Sequence, residues 1–343
     1  MRSPLFLAVL FAAPLAHAGT TSLGLDSSLN LLTLGDYTAS SSDVQGRVAV
    51  AGNASINSYS IDTKSGGAAL YAGTGLTVGG NLNFSSGAIW GDTRVGGNAT
   101  TSYSGSFDGS LYVKGVLNEA SGLWLSAGNA ATSWGGVANK GEWMPSVQAG
   151  AGSFNLGFDF NTARSQLTSL STQLAQDAAT GTVSKPYSTL LLNASGAKIA
   201  IFNLTAAQAA MNMELDGLAA DATAIINIAG SNVDFGNHGY ANFAAAAGRV
   251  LFNLADATSI TLNGGIDASL LAPLATVGAG YGVINGQVVV NNWYSSVQVN
   301  DSPFTGALPV LAPAADSTKK VPEPGTWGLL LAGLGMLVAR RRT

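Results

Sequence analysis

The sequence predicts a mainly β chain: an irregular parallel β-helix, or solenoid, with one long α-helix packed alongside. Three observations carry this. A short strand-and-turn unit recurs without a strict period. Glycine supplies 44 of 343 residues, and charged residues only 10% against 47% hydrophobic ones. Average soluble domains hold about 7% glycine and about 25% charge. Plentiful aliphatic residues with few charges exclude intrinsic disorder, and aperiodic glycine excludes collagen. The absence of cysteine excludes disulfide scaffolds, thiolate metal sites and Cys nucleophiles.

The repeating unit comes first. Val48-Ala49-Val50 precedes Gly52-Asn53, Leu76-Thr77-Val78 precedes Gly79-Gly80-Asn81, Thr93-Arg94-Val95 precedes Gly96-Gly97-Asn98, and Leu111-Tyr112-Val113 precedes Gly115. The flanking residues of each triplet lie two apart, which turns both to one side of a strand. The Gly-Asn step is expected to take the left-handed conformation of a sharp turn. A second strand follows in Ala54-Ser55-Ile56 and Leu82-Asn83-Phe84. Asn53, Asn81 and Asn98 are 28 and 17 residues apart; solenoid rungs tolerate such insertions, and stacked asparagines at one corner would form a hydrogen-bonded ladder. The unit returns at Ile260-Thr261-Leu262-Asn263-Gly264-Gly265-Ile266.

Between the two blocks lies the helix, predicted over about 159–177. Phe160, Ala163, Leu167, Leu170 and Leu174 form one apolar stripe. Asp159 or Asn161 can cap its start, and Gly181 and Pro186 stop it. Thr205 and Gln208 fit a capping box for a second, short helical turn.

Both ends read as addresses. Residues 1–18 form a signal peptide, with the small-x-small cleavage pattern Ala16-His17-Ala18 before Gly19. At the other end, residues 325–339 form an uncharged transmembrane helix about 22 Å long, short of the ~30 Å hydrocarbon core, which thinning of the bilayer accommodates. Trp327 stands near one interface, and Arg340, Arg341 and Arg342 stop transfer. Residues 306–320 read as a flexible linker, leaving 19–305 as the folded ectodomain. Across 19–320 the chain holds 11 basic and 18 acidic residues, a net charge of −7, which gives no footprint for nucleic acid.

Val321-Pro322-Glu323-Pro324, a short apolar helix and the terminal arginines resemble a PEP-CTERM sorting segment. That resemblance implies processing by an exosortase as well as signal peptidase, in a Gram-negative bacterium that makes exopolysaccharide, with transient anchoring in the inner membrane. The ectodomain resembles the choice-of-anchor A family. The carrying segments are Leu34-Gly35-Asp36-Tyr37, Ser42 through Asn53, Ile226-Asn227-Ile228-Ala229-Gly230, Ile266 through Pro273 and Ile284 through Val288. This family implies a surface or matrix protein, adhesin-like and without established chemistry. The layout is also similar to the ice-binding type of β-helix, at the level of fold alone.

Catalytic constellations are not found in the sequence. The mature chain has a single histidine, His238, and no nucleophile elbow. Asp36 and Asp43, or Glu214 and Asp216, are the acids that a polysaccharide-cleaving site would have to use; as turn residues, Asp36 and Asp43 would instead fix backbone amides. No calcium loop is present, and the Gly-Gly-Asn segments lack the Lys-Ser/Thr sequel of a phosphate loop, so no metal or cofactor is expected. Trp90, Tyr103, Trp124, Trp134 and Trp143 lie between or beside strands. Of these and Tyr112, the strand phase turns Tyr112 and Trp124 outward, where flat rings suit sugar stacking or protein contact. The expected function is a non-enzymatic protein of the cell surface or exopolysaccharide matrix, with ice binding or a carbohydrate-active enzyme as the rival readings.

Overall fold

The computed structural model describes residues 23–26, 28–65, 73–119, 123–139 and 146–309. The signal peptide with Ala16, Ala18 and Gly19 lies outside these residues. So do Trp143, the segment from Val321 to Arg342 and the apolar helix at 325–339. Among the described residues no helix is long and apolar enough to cross a membrane.

The described chain winds as a three-sided parallel solenoid. On one side Leu29–Thr33, Arg47–Val50, Thr74–Val78, Asp92–Val95, Leu111–Val113, Ala131–Ser133 and Val147–Ala149 stack in chain order. The same side continues below Leu29–Thr33 with five later strands. In spatial order these are Val288–Tyr294, Ser269–Val277, Val250–Asn253, Thr223–Ala229 and Ile199–Thr205. Twelve strands at ~4.8 Å make a face about 50 Å tall. The spatial order therefore departs from the sequence order. The chain starts in the middle of the stack, climbs to one end, crosses back outside, and refills the stack from the other end. It closes where Leu31 lies beside Val288 and Leu32 beside Val289.

The alternation read from the sequence fills the core. Val48, Val50, Leu76, Val78, Val95, Leu111 and Val113 are all buried. Phe84 meets Phe107 edge-on at 5.0 Å, and Tyr37 meets Tyr59 at 6.3 Å. Tyr59 donates its hydroxyl to the Val297 carbonyl at 2.9 Å; burial pushes both phenols well above their usual range. The second strands run longer than the sequence suggested. Ala54–Ile61 and Leu82–Ile89 each span eight residues and bend from one face to the next.

The glycines at the corner after the first strand serve a purpose other than the expected one. Gly79, Gly80, Gly96, Gly97 and the asparagines that follow all keep negative φ. Left-handed backbone appears at the next corner, at Ser41 (φ 60°) and Ser58 (φ 51°). The glycines answer to closeness. Gly35, Gly52, Gly80, Gly97, Gly115 and Gly135 stack in a column, each amide from Gly52 onward donating to the carbonyl one rung below at 2.8–3.0 Å. A Cβ on Gly80 would stand 2.6 Å from the Gly52 oxygen, so only glycine lets the rungs approach.

The helix α1 is Phe160–Leu174. It packs on Ser269–Val277 and covers Leu271, Val289 and Leu32, which are buried although they belong to the outer side of their strands. Of the two candidate caps, Asp159 is the one that closes the helix start. Its carboxylate accepts from the amides of Asn161 and Thr162 at 3.1 and 3.0 Å. The Thr162 amide first, with the Thr162 hydroxyl, holds that carboxyl below its usual range. The helix stops at Leu174, short of 177, well before Gly181 and Pro186. Its last carbonyls accept from the amides of the next turn, Ala175 to Ser171, Gln176 to Gln173 and Asp177 to Leu174, and asparagine side chains of the solenoid also bond those of Ser171 and Leu174. The Thr205–Gln208 capping box forms as expected and starts the four-residue helix Ala206–Ala209. The repeat at 260–266 departs from its expected equivalence. Ser259–Thr261 lies on the second face, next to Asn232–Asp234 and Thr276–Val277, whereas Leu76–Val78 lies on the face of α1. Packed chain continues past 305: Leu308 is 2% exposed.

Candidate functional site

The second face of the solenoid is open to solvent, and outward residues line it in files that follow the rungs. The first file is the corner ladder. Asp36 N donates to Asn292 Oδ1, Asn53 N to Asp36 Oδ1, Asn81 N to Asn53 Oδ1, Asn98 N to Asn81 Oδ1 and Val116 N to Asn98 Oδ1, all at 2.8–2.9 Å. The predicted Asn53–Asn81–Asn98 stack is therefore real, with side chains bonding to the backbone of the next rung. Asp36 occupies an asparagine position in it, as a turn acid and not as half of a carboxylate pair. Asp43 accepts from the Thr63 hydroxyl at 3.0 Å.

The second file runs Tyr294, Thr38, Ser55, Asn83, Thr100, Asn118 in register. Beyond it, Ser40 and Asn57 share a rung step, and the Ser86 hydroxyl donates to Asn57 Oδ1 at 2.9 Å. Between the first two files lies a groove of about 600 Å³ whose lining carries one charged side chain, Asp36. Tyr294, 42% exposed, closes one end. The arrangement offers hydroxyl and amide groups about every 4.8 Å along a rigid backbone. Such a surface can exchange hydrogen bonds with an extended uncharged partner, with an aromatic ring for stacking at one end.

The two aromatics singled out from the sequence stand elsewhere and apart. Tyr112 is on the face of α1, next to Arg94 in register, and the Arg94 guanidinium covers its ring at 4.9 Å. That cation–π contact occupies the surface a sugar would need. Trp124 is outward and 54% exposed, on the third face beside Ser106. Trp134 is covered by Phe154 at 5.2 Å and donates to the Gly152 carbonyl, and Trp90 is half-buried. Sequence reasoning passed over Tyr294 because it ends a run of apolar strand residues. Only the Tyr294–Thr38 pairing across the chain's two halves brings it to the groove.

A second ladder also escaped the sequence. Asn253 Nδ2 donates to Asn227 Oδ1 at 2.8 Å, and Asn227 Nδ2 to Asn203 Oδ1 at 2.9 Å. The same amides reach α1: Asn227 Nδ2 bonds the Leu174 carbonyl at 2.7 Å and Asn253 Nδ2 the Ser171 carbonyl at 2.9 Å. The signal was present in Phe202-Asn203-Leu204, Ile226-Asn227-Ile228 and Phe252-Asn253-Leu254, an asparagine between large apolar residues three times over. Among the described residues no three His, Cys, Asp or Glu side chains gather as a metal site. His238 folds back over Gly236, and Glu214 and Asp216 lie on a strand beside Leu191 and Asn193.

The profile of a family described as an ice-binding-like adhesive domain matches residues 22–301. The PEP-CTERM protein-sorting motif matches residues 320–342. Among solved structures, the chain is similar to LeIBP, an ice-binding protein from an Arctic yeast: identity is 14%, covering 86% of this chain and 98% of that one, with a TM-score of 0.31. It is also similar to an ice-binding protein from an Antarctic bacterium of the Flavobacteriaceae, at 13% identity over 88% of this chain and 100% of that one, with a TM-score of 0.21. No curated protein matches.

Proposed function

The chain belongs to the family of ice-binding-like adhesive domains and carries a PEP-CTERM sorting motif, and from that premise we propose that this exported surface protein holds an uncharged, extended glycan along its open face. The sorting motif implies processing by an exosortase. Within our reading, signal peptidase cuts after Ala18, the apolar helix 325–339 anchors the chain in the inner membrane in transit, and the processed protein joins the exopolysaccharide matrix of a Gram-negative cell. The choice-of-anchor A resemblance agrees with this.

One observation carries the ligand class: the groove between the Asp36–Asn98 ladder and the Tyr294–Thr100 file displays hydroxyls and amides with a single charge. An anionic polymer would find no cationic counterpart there, whereas a neutral one exchanges water hydrogen bonds for protein ones. Chemistry is not part of the reading, because Asp36 and Asp43 are each engaged in fixing the fold. Binding of neutral and anionic polysaccharides to the purified exported chain tests this. Neutral chains should bind and lose affinity in Tyr294→Ala; equal binding of anionic chains, or none of either, would sink it. The files of Thr, Ser and Asn at rung spacing favour ice as the second reading. Thermal hysteresis that survives Tyr294→Ala would support ice instead.

A further inference from the structure

We infer that the glycan-binding face continues past Tyr294 to Tyr281, and that these two rings, with a bare floor between them, form a stacking platform for a flat, all-equatorial, β-linked neutral polysaccharide. This rests on the glycan function proposed for the groove and narrows its ligand. Among the described residues five large apolar side chains are exposed: Trp124, Tyr187, Leu274, Tyr281 and Tyr294. Three of them gather at the seam where the two halves of the chain meet. Leu274 belongs to Ser269–Val277, Tyr294 ends the neighbouring strand Val288–Tyr294, and Tyr281 follows Leu274 on the same turn of the solenoid. Exposed apolar side chains that cluster in this way mark a binding surface.

The register sets their spacing. Val277 lies opposite Trp293, so Gly278 falls beside Tyr294, and Gly278-Ala279-Gly280 leads from there to Tyr281. The two tyrosine Cα atoms are thus one rung and three residues apart, at most about 11 Å. Nothing larger than a methyl group stands on the three residues between them. At Gly278 neither closeness nor backbone conformation demands glycine: its φ is not positive, and a Cβ there would meet only the Ile260 oxygen, at 3.9 Å. What the glycine does is put no side chain against the side of Tyr294 that faces away from Thr38.

Tyr281 is 63% exposed, yet its backbone is firmly held. Its amide donates to the Leu262 carbonyl at 3.1 Å, and it pairs with Asn263 in a parallel bridge. Glycine on both sides lets the backbone press against the rung below. A Cβ on Gly280 would stand 2.1 Å from the Leu262 oxygen, and one on Gly282 2.0 Å from the Gly264 oxygen. A flat ring mounted on such a backbone is pre-organised for stacking. Charge then selects the partner. Residues 250–309, which supply both rings, contain no Lys or Arg, so an anionic chain gains no ion pair from them. A polysaccharide with equatorial substituents presents flat C–H faces to the rings. It carries its hydroxyls at the edges, within reach of the file from Tyr294 to Thr100.

Calorimetry with cello-oligosaccharides of increasing length on the purified exported chain tests this. Affinity for the longer oligomers should fall about tenfold in Tyr281→Ala. Tyr281→Phe and Tyr281→Trp should restore it, and Tyr281→Leu should not. Gly278→Thr, which fills the space beside Tyr294, should weaken binding as well; if that variant fails to fold, the Tyr281 series decides. Tyr187→Ala, an exposed tyrosine beside the separate four-stranded sheet, should change nothing. Binding that Tyr294→Ala weakens but Tyr281→Ala leaves intact overturns the platform while the glycan function stands. Full affinity in Tyr281→Leu, or a preference for α-linked dextran, overturns it too. No binding of any neutral glycan to the native chain overturns both.

Discussion

Two asparagine ladders climb the same solenoid under opposite conditions. Asn53, Asn81 and Asn98 stand exposed at a corner and bond backbone amides. Asn227 and Asn253 are buried beneath α1, bond each other and take carbonyls from the end of the helix. The exposed ladder has water as a competitor, so each bond contributes little. In the buried one, a lost partner leaves a polar group of Asn227 or Asn253 where water competes far less. One residue type thus serves as a spacer between rungs in one region and as a helix stop in the other.

The comparison can be tested from the largest effect down. Asn227→Ala should cost about 3 kcal/mol, because it removes a donor from the Leu174 carbonyl and from Asn203 Oδ1 and leaves one proton of the buried Asn253 Nδ2 without its acceptor; denaturant unfolding measures it. A loss no larger than that of the exposed ladder would break the contrast. Leu167→Ala leaves a cavity between α1 and the sheet and should cost about 3 kcal/mol, read by the same method. In the exposed ladder, Asn81→Ala removes the acceptor for the Asn98 amide and should cost about 1 kcal/mol. Thr100→Val should change stability by less than about 0.5 kcal/mol while weakening glycan binding, measured by calorimetry on the same sample.

The smallest effect is in pH dependence, where the two acids flanking α1 have opposite signs. Hydrogen bonds hold the Asp159 carboxyl low, so its contribution is present above the unfolded-state range near pH 4 and fades as pH falls below it. Burial raises the Asp177 carboxyl; the folded chain keeps that proton longer, so its contribution is present below about pH 4 and is lost as pH rises. Asp177→Asn should raise the melting temperature slightly at pH 7 and leave it unchanged at pH 3. A melting temperature at pH 7 equal to that of the native chain would remove burial as the cause.

Much of the fold was legible locally. Alternation at Val48-Ala49-Val50 and its relatives located core positions, since a strand side chain's direction is fixed by parity. The apolar stripe from Ala163 to Leu174 gave α1, and the repeated Gly-Asn located the corner ladder. The groove was only half legible. Thr38, Ser55, Asn83 and Thr100 are ordinary outward residues until stacking aligns them, and Tyr294 joins them from the far end of the chain. Strand phase says which way the Tyr112 ring faces but not that Arg94 lies over it.

The sequence by itself determined the parts whose cause is local: parallel rungs, their inward and outward faces, a helix start at Asp159 or Asn161 and the sorting segment. The tertiary structure alone decided the order of the rungs, the closure of Val288 on Leu31, which face α1 covers and which it leaves open. Those depend on pairings between residues hundreds of positions apart, and any rung's edge offers the next the same backbone groups. Local pattern cannot choose among such equivalent edges; covering Leu271, Val289 and Leu32 with the apolar stripe of α1 does.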